Sequence, residues 1–314
     1  MNLATAAHRG LARYVQFPGG TDLPNGEHIE LPGRGTTYAA RVEGPPGAPT
    51  LFLLHALGCT ANLTWFTSLG PLREHYNLVL MDMRLHGKGI QSRFFRISDC
   101  ADDAVALADH YGIDSFIPVG YSMGGVIAQM LAHRHEQRLR GLVLCSTAAK
   151  WHDTRRERAF FSLLPTFTVP MALRNKGLPT PHTDEETAEV AAAMLALSVD
   201  SPDVDVRRWA LAEFRSTKMR AVLQALNAIG HFDSTPWLSR IRVPTSVVVT
   251  DPDSFVPTRR QRAMAALIPG VEVFDCPSHH AACVLGAERF VPPLLDAVAS
   301  VVRRNAAPSD ERAS

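Results

Sequence analysis

The hexapeptide GYSMGG at 120–125 places Ser122 between Gly120 and Gly124 in a G-x-S-x-G pattern. A serine hydroxyl becomes a nucleophile when a neighbouring base accepts its proton, so this residue type points to acyl transfer through a covalent intermediate. Glycine is expected at both positions because a sharp strand-to-helix turn leaves no room for Cβ atoms beside the serine. The alternative interpretation is a serine that only caps the following helix.

The surrounding sequence contains the strand and the helix that such a turn requires. The apolar run at 115–119 is too short for a helix and precedes the hexapeptide, and a helical pattern follows it. Other short apolar runs alternate with helical stretches along the chain, an order that predicts a parallel sheet with helices on both faces. Strands are predicted at 29–31, 36–43, Thr50–Leu54, Asn77–Met81, 115–119, 141–145, Thr245–Thr250 and 271–275. Helices are predicted at 62–75, 98–111, Met123–His135, 259–267 and 288–304.

This alternation stops between the strands that end at 145 and begin at 245. Segments 188–198 and 207–228 have the pattern of amphipathic helices, whereas 164–181 contains four prolines. A structureless loop of that length is implausible in a compact domain, so an inserted helical cap is predicted. The predicted division is an N-terminal arm at 1–28, a core at 29–150 and 229–305, the cap at 151–228 and a flexible tail at 306–314.

With the motif in this context, the chain resembles the α/β-hydrolase fold family over nearly everything from 29 to 304. The resemblance implies an α/β fold: a mostly parallel eight-stranded sheet with helices on both faces and an inserted helical cap. It also implies a chain order of serine, acid and histidine, with the acid after a later strand and the histidine after the last one.

Asp253 and His280 occupy the two segments in which the family carries its acid and its base. Asp253 lies four residues before Pro257, the family's usual spacing to the proline that opens the next helix. Asp251, directly after the predicted strand, is the alternative acid. His280 precedes small residues as the family's histidine does, and His279, in the usual glycine position, is the alternative base. His280 is then expected to accept the serine proton, and Asp253 to fix the imidazole tautomer.

The resemblance also implies an oxyanion hole made of two backbone N–H groups. Met123, directly after the serine, is one predicted donor, and the family draws the other from the loop after the third strand. That loop has the sequence HALG at 55–58, so Leu57 is the second predicted donor. His55 is expected to bond backbone groups and hold this loop. The segment DMRLHG at 82–87 is similar to another family turn and is expected to shape a loop, although Leu85 replaces the family's glycine.

Composition argues against several other classes of protein. The 314 residues are 46% apolar and 20% charged, which excludes a globally disordered or collagenous chain. A net charge of +1 gives no uniform attraction to nucleic acid or to an anionic membrane, so neither is predicted as a partner. No signal-peptide pattern and no apolar run of about 18 residues is found, which predicts a cytoplasmic protein without stable membrane insertion. The sequence leaves the oligomeric state open.

The five cysteines predict neither disulfides nor a metal site, because they are widely spaced and contain no C-x-x-C pair. Cys276 and Cys283 flank the two histidines, but no third and fourth ligands lie nearby. Both are therefore predicted to pack as small apolar side chains. No cofactor and no metal are predicted.

The serine nucleophile predicts acyl transfer with water as the usual second acceptor. The Ser-Met-Gly-Gly turn is similar to that of enol-lactone hydrolases and of cofactor-free haloperoxidases and esterases, which favours a small carboxylic ester or lactone as substrate. A thioesterase or a C–C bond hydrolase with the same three residues is an alternative. A ligand-binding protein on this scaffold, with slow turnover or none, is another.

Overall fold

A computed structural model of the chain describes residues 23–157, 159, 161, 163 and 204–306. Most of the predicted arm at 1–28 lies outside the described residues. So do the predicted helix at 188–198, the proline-containing segment at 164–181 and all but the first residue of the predicted tail at 306–314.

An eight-stranded sheet forms the centre of the described chain, in the order β1-β2-β4-β3-β5-β6-β7-β8. Its strands are β1 (Glu27–Leu31), β2 (Gly35–Val42), β3 (Thr50–Leu54), β4 (Asn77–Met81), β5 (Ile117–Tyr121), β6 (Leu142–Cys145), β7 (Thr245–Thr250) and β8 (Glu272–Cys276). β2 runs antiparallel to β1 and β4, and the other neighbouring strands are parallel. The predicted mostly parallel sheet is confirmed.

The strand before the serine ends later than predicted. β5 runs to Tyr121 rather than 119 because Gly120 and Tyr121 continue the ladder with Leu144 and Cys145 of β6. The change of direction therefore falls on Ser122 alone.

Helices pack on both faces of the sheet. They are α1 (Ala61–Arg73), α2 (Ile97–His110), α3 (Met123–His135), α4 (Val204–Arg215), α5 (Met219–Gly230), α6 (Thr258–Ala265), α7 (Ala282–Leu285) and α8 (Ala287–Ala306). Successive side chains of β3 point to opposite faces, so Phe52 and Leu54 enter one apolar cluster and Leu51 and Leu53 the other. α2 and α3 cover the first cluster, and α1 and α8 cover the second. This confirms the predicted layers.

The prediction of one helix at 207–228 is wrong, because the chain forms α4 and α5 there with a break at 216–218. The hydroxyl of Ser216 bonds the Glu213 carbonyl, and the Thr217 N–H turns back to the Phe214 carbonyl. Such local bonds compete with the regular helical ladder. Lys218 then adopts an extended conformation, with φ −70° and ψ 141°, before α5 begins.

The helices in the described ranges, 23–157 and 204–306 among them, include none that is both long and apolar enough to cross a bilayer.

Candidate active site

The three side chains predicted to do chemistry meet at the carboxyl edge of the sheet. Ser122 follows β5, Asp253 follows β7 and His280 follows β8, and parallel strands bring these ends to one edge. His280 Nε2 lies 3.0 Å from Ser122 Oγ, and His280 Nδ1 lies 2.8 Å from Asp253 Oδ2. Both are direct hydrogen-bond distances. One imidazole can therefore accept the serine proton while the carboxylate holds its other nitrogen.

The turn at Ser122 is strained, with φ 52° and ψ −110°. A positive φ is uncommon for a residue with a side chain, and such conformations concentrate at functional sites. A Cβ at Gly120 would collide with the Gly124 carbonyl, and a Cβ at Gly124 would collide with the Leu54 carbonyl. The Ser122 N–H donates to the Cys145 carbonyl at 2.9 Å. Close packing of the backbone around the turn thus holds the serine in this conformation.

Ser122 precedes α3 but does not cap it with its side chain. The residue occupies the N-cap position and makes no side-chain capping bond, while its Oγ faces His280. The interpretation of Ser122 as a simple capping residue does not fit this geometry.

Asp253 is a buried carboxylate with donors on both oxygens. Oδ1 accepts the N–H groups of Phe255 and Val256 at 2.9 and 2.8 Å, and Oδ2 accepts the Thr250 hydroxyl at 2.7 Å besides His280. Burial acts to raise the pKa of Asp253, but the hydrogen bond and charge of His280, with the bonds from Thr250 and Val256, bring it below its ordinary value. The carboxyl group is therefore ionised at neutral pH.

The two alternative residues lie apart from these contacts. Asp251 is exposed and accepts the Thr258 hydroxyl at 3.2 Å. His279 is also exposed, and its Nδ1 accepts the Ala281 N–H at 3.3 Å. Within the described chain, no hydrogen bond joins either residue to Ser122.

Two aromatic contacts of His280 were not foreseen from the sequence. The Tyr121 hydroxyl donates to the His280 carbonyl at 2.6 Å, which ties the residue before the serine to the histidine loop. The Phe255 ring stacks on the imidazole with centroids 4.9 Å apart, yet its side chain is 59% exposed. Tyr121 directly precedes Ser122 and Phe255 lies two residues after Asp253, and the sequence offered no other signal for either residue.

The two predicted oxyanion donors lie on different elements. Met123 opens α3 and Leu57 lies in the loop after β3, and no hydrogen bond joins either N–H to a described residue. Next to Leu57, Gly58 has φ 74°, and the Phe214 ring and a Val222 methyl lie 3.7 Å from the position of a Cβ there. α4 and α5 therefore pack directly on the loop that carries Leu57.

Polar contacts also join α4 and the turn after it to the core beside this loop. The Thr60 hydroxyl, at the N-cap of α1, donates to a carboxylate oxygen of Glu213. The Gly87 N–H donates to the Thr217 hydroxyl at 3.0 Å. The two contacts connect α4 and its following turn to the N-cap of α1 and to the turn at 82–87.

His55 holds the same loop from inside the core. Its Nδ1 lies 2.8 Å from the Ala56 carbonyl, and its Nε2 accepts the Met83 N–H at 2.8 Å. Burial, with the charge of His86 nearby, lowers the pKa of His55 to about 3. The ring is thus neutral, with a proton on Nδ1, and it bonds backbone on both sides as expected.

The turn at 82–87 is built around a buried carboxylate. Asp82 Oδ1 accepts the Ala61 N–H and Oδ2 accepts the Lys88 N–H, both at 2.9 Å. Burial raises the pKa of Asp82 to about 6, against the effect of these two bonds. Leu85, where the family carries glycine, has φ 63°, a conformation that favours glycine.

The described residues, 204–306 and most of 23–163, contain no group of three or more His, Cys, Asp or Glu side chains that could hold a metal ion. Cys276 and Cys283 are buried free thiols. Burial raises the pKa of Cys276 to about 11 and that of Cys283 well above its ordinary value, so neither is a thiolate at neutral pH.

Comparison with known proteins agrees with this architecture. The sequence model of the alpha/beta hydrolase fold family matches residues 49–284. Proline iminopeptidase PfmaB of Pestalotiopsis fici is 26% identical over 267 residues, which cover 79% of this chain and 90% of that protein. 3-Oxoadipate enol-lactonase 2 of Acinetobacter baylyi is 26% identical over 206 residues, 65% of this chain and 72% of that protein. The solved enol-lactonase of Burkholderia xenovorans LB400 has a TM-score of 0.69 at 22% identity, over 87% of this chain and 100% of that one.

Proposed function

The chain belongs to the α/β hydrolase fold family, and we propose that it is a serine hydrolase that cleaves a carboxylic ester or a lactone through an acyl-enzyme on Ser122. The observation that carries the proposal is the continuous line of hydrogen bonds from Ser122 Oγ through His280 to Asp253. Three such groups in this order form a nucleophile, a base and a group that orients the base.

The imidazole tautomer follows from the charge on Asp253. The ionised carboxylate accepts the Nδ1–H of His280, which selects the tautomer of the neutral ring whose unprotonated Nε2 faces the serine. His280 Nε2 takes the hydroxyl proton while Ser122 Oγ bonds to the substrate carbonyl carbon. The carbonyl π electrons move to oxygen, where the N–H groups of Leu57 and Met123 stabilise the negative charge.

Collapse of this tetrahedral intermediate breaks the bond to the alcohol oxygen, which leaves with the proton held by His280. Water then gives a proton to His280 and adds to the acyl carbon, and the second collapse returns the proton to Ser122 Oγ and releases the acid. In a lactone, the leaving alcohol stays attached to the same product.

The choice of ester or lactone rests on the turn and on the relatives. The Ser-Met-Gly-Gly turn is shared in pattern with enol-lactone hydrolases, and one relative carries the name 3-oxoadipate enol-lactonase. The predicted cap at 151–228 belongs to this proposal as the source of specificity. Its support is that α4 and α5 contact the oxyanion loop through Phe214 and Val222.

A fluorophosphonate probe tests the nucleophile directly. We expect covalent labelling of the full chain and no labelling of Ser122→Ala, whose circular dichroism spectrum should match that of the wild type.

A panel of esters of graded acyl length, a lactone, a thioester and a proline anilide then tests the substrate class. Folded protein that neither labels nor turns over any of these would overturn the proposal in favour of ligand binding, and preference for the thioester or anilide would overturn the ester assignment alone.

A further inference from the structure

Two fully buried polar side chains behind Asp253 take no direct part in the proposed reaction. We propose that Thr250 and Gln261 are positioning residues, which set the direction and charge distribution of the Asp253 carboxylate and act through it on His280. This inference rests on the proposed function of Ser122 and His280, and it adds two residues that the sequence motifs do not mark.

Gln261, on α6, forms hydrogen bonds through both its amide oxygen and its amide nitrogen to residues of the turn that presents Asp253. Its Oε1 accepts the Thr250 N–H at 3.0 Å, which fixes which end of the amide is the donor. One N–H of Nε2 reaches the Val256 carbonyl at 2.8 Å. The other lies between Thr250 Oγ1 at 2.9 Å and Asp253 Oδ2 at 3.1 Å. The amide therefore clamps both ends of the turn that presents Asp253.

Thr250, the last residue of β7, supplies the shortest of the non-histidine contacts to the same oxygen. Its hydroxyl has one proton, which lies on the 2.7 Å bond to Asp253 Oδ2. As an acceptor, the hydroxyl takes the Gln261 N–H and lies 2.9 Å from the Ser146 hydroxyl. Neither side chain has measurable exposure, so no bulk solvent can replace these bonds.

The consequence for His280 follows from the sharing of one oxygen. Asp253 Oδ2 receives three donors, and those from Thr250 and Gln261 withdraw part of the charge that would otherwise act on the third, the His280 N–H. Hydrogen bonds to a charged, buried group are strong and directional. Removing the Thr250 donor should therefore loosen the carboxylate and shift charge towards the remaining bond from His280.

The first variant is Thr250→Val, which keeps the shape of the side chain and removes the hydroxyl. We expect kcat for a p-nitrophenyl ester to fall about tenfold with little change in KM, and the acidic limb of the pH profile of kcat/KM to move to higher pH. Thr250→Ser, which keeps the donor, should restore both values. Thr245→Val is the matched control, since Thr245 is equally buried on the same strand and, among the described residues, its hydroxyl bonds only the Val243 carbonyl.

The second variant is Gln261→Glu, which is nearly isosteric but places an acceptor against Asp253 Oδ2. We expect a larger loss of kcat at alkaline pH than with Thr250→Val, and partial recovery at lower pH where the introduced carboxyl is protonated and can donate again. Thermal unfolding of each variant shows whether the fold is retained, and so distinguishes a displaced Asp253 carboxylate from loss of the fold.

A readout independent of turnover separates this inference from the proposed function. The hydrogen-bonded Nδ1 proton of His280 should give a low-field proton resonance that is absent from His280→Ala and moves further downfield in Thr250→Val. If the wild type shows no hydrolysis but the resonance moves, the proposed function fails and the positioning role stands. A folded Thr250→Val whose resonance, kcat and pH profile all match Thr245→Val would overturn the positioning role.

Discussion

The two halves of the candidate site are held by different kinds of contact. On the acid–base half, Asp253 bonds Thr250, three residues away, and His280, 27 residues away. On the oxyanion half, His55 of the loop bonds Met83, 28 residues away, and Thr60, at the N-cap of α1 just after the loop, bonds Glu213, 153 residues away. The acid–base half is therefore fixed by its own strands and turns, whereas the oxyanion half depends on the packing of α4 and α5.

The halves also differ in the charge they bury. Asp253 is ionised, with its pKa held low by donors. Beside the oxyanion loop, burial lowers the pKa of His55 to about 3 and that of His86 to about 4, and raises that of Asp82 to about 6. Each of these three shifts opposes the charged form, so between pH 4.5 and 6 the stability of the oxyanion half is the more sensitive to pH.

The largest expected effect tests the base on the acid–base half. His280→Ala should lower kcat for a p-nitrophenyl ester by about 10⁵-fold, because no other group then accepts the serine proton. His279→Ala is the matched control and should keep most of the activity, since its ring is exposed and bonds only Ala281 within the described chain. The reverse order of the two losses would show that the base has been misassigned.

The next effect tests the acid. Asp253→Asn should lower kcat about 10⁴-fold, because an amide donor facing Nδ1 favours the wrong imidazole tautomer. Asp251→Asn should change kcat less than about twofold, since its carboxylate is exposed and, among the residues that the structure describes, bonds only the Thr258 hydroxyl. Steady-state kinetics of both variants at the same pH decide the assignment, and a greater loss in Asp251→Asn would refute it.

The contrast between the halves explains how far the sequence could predict the molecule. Ser122 and the strands around it are marked by local signals, namely glycine spacing and short apolar runs, and Asp253 and His280 by the family's turn patterns. The helix predicted at 207–228 was wrong because its apolar periodicity continues through the break, where the Ser216 hydroxyl bonds the Glu213 carbonyl and the Thr217 N–H bonds the Phe214 carbonyl. Gln261 was missed because a polar residue on a short helix has no periodicity that marks its burial.

A smaller effect tests whether α4 holds the oxyanion loop. Phe214→Ala should lower kcat about tenfold, since the ring packs on Gly58 and its loss lets the Leu57 donor move away from the developing charge. The acidic limb of the pH profile should not move, because His280 and Asp253 are untouched. Leu211→Ala, at another half-buried position on α4, is the control. An equal loss in both variants would indicate general damage to the helix instead.

The smallest expected effect is on stability, and its sign follows from the three buried groups. Below pH 6.5, the ordinary pKa of histidine, His55 and His86 bind protons in the unfolded chain but stay neutral in the folded chain. Their protonation therefore favours unfolding as the pH falls. Asp82 acts in the opposite direction between its folded pKa of about 6 and its ordinary pKa of 3.8, because the folded form takes up the proton at the higher pH. Near pH 5 these three groups together bind about one more proton in the unfolded chain than in the folded chain.

Urea unfolding from pH 6 to 4.5 measures that difference. These groups should reduce the free energy of unfolding by about 1.4 kcal/mol for each unit of pH lost. In Asp82→Asn the opposing proton uptake is gone, so the slope should about double, even though the variant also loses carboxylate bonds to Ala61 and Lys88 at every pH. Hydrogen exchange at pH 5 should show faster opening at 55–60 and 82–88 than around Asp253. Equal slopes in the two proteins would show that Asp82 is ionised from pH 6 to 4.5. The difference in buried charge between the two halves would then rest on His55 and His86 alone.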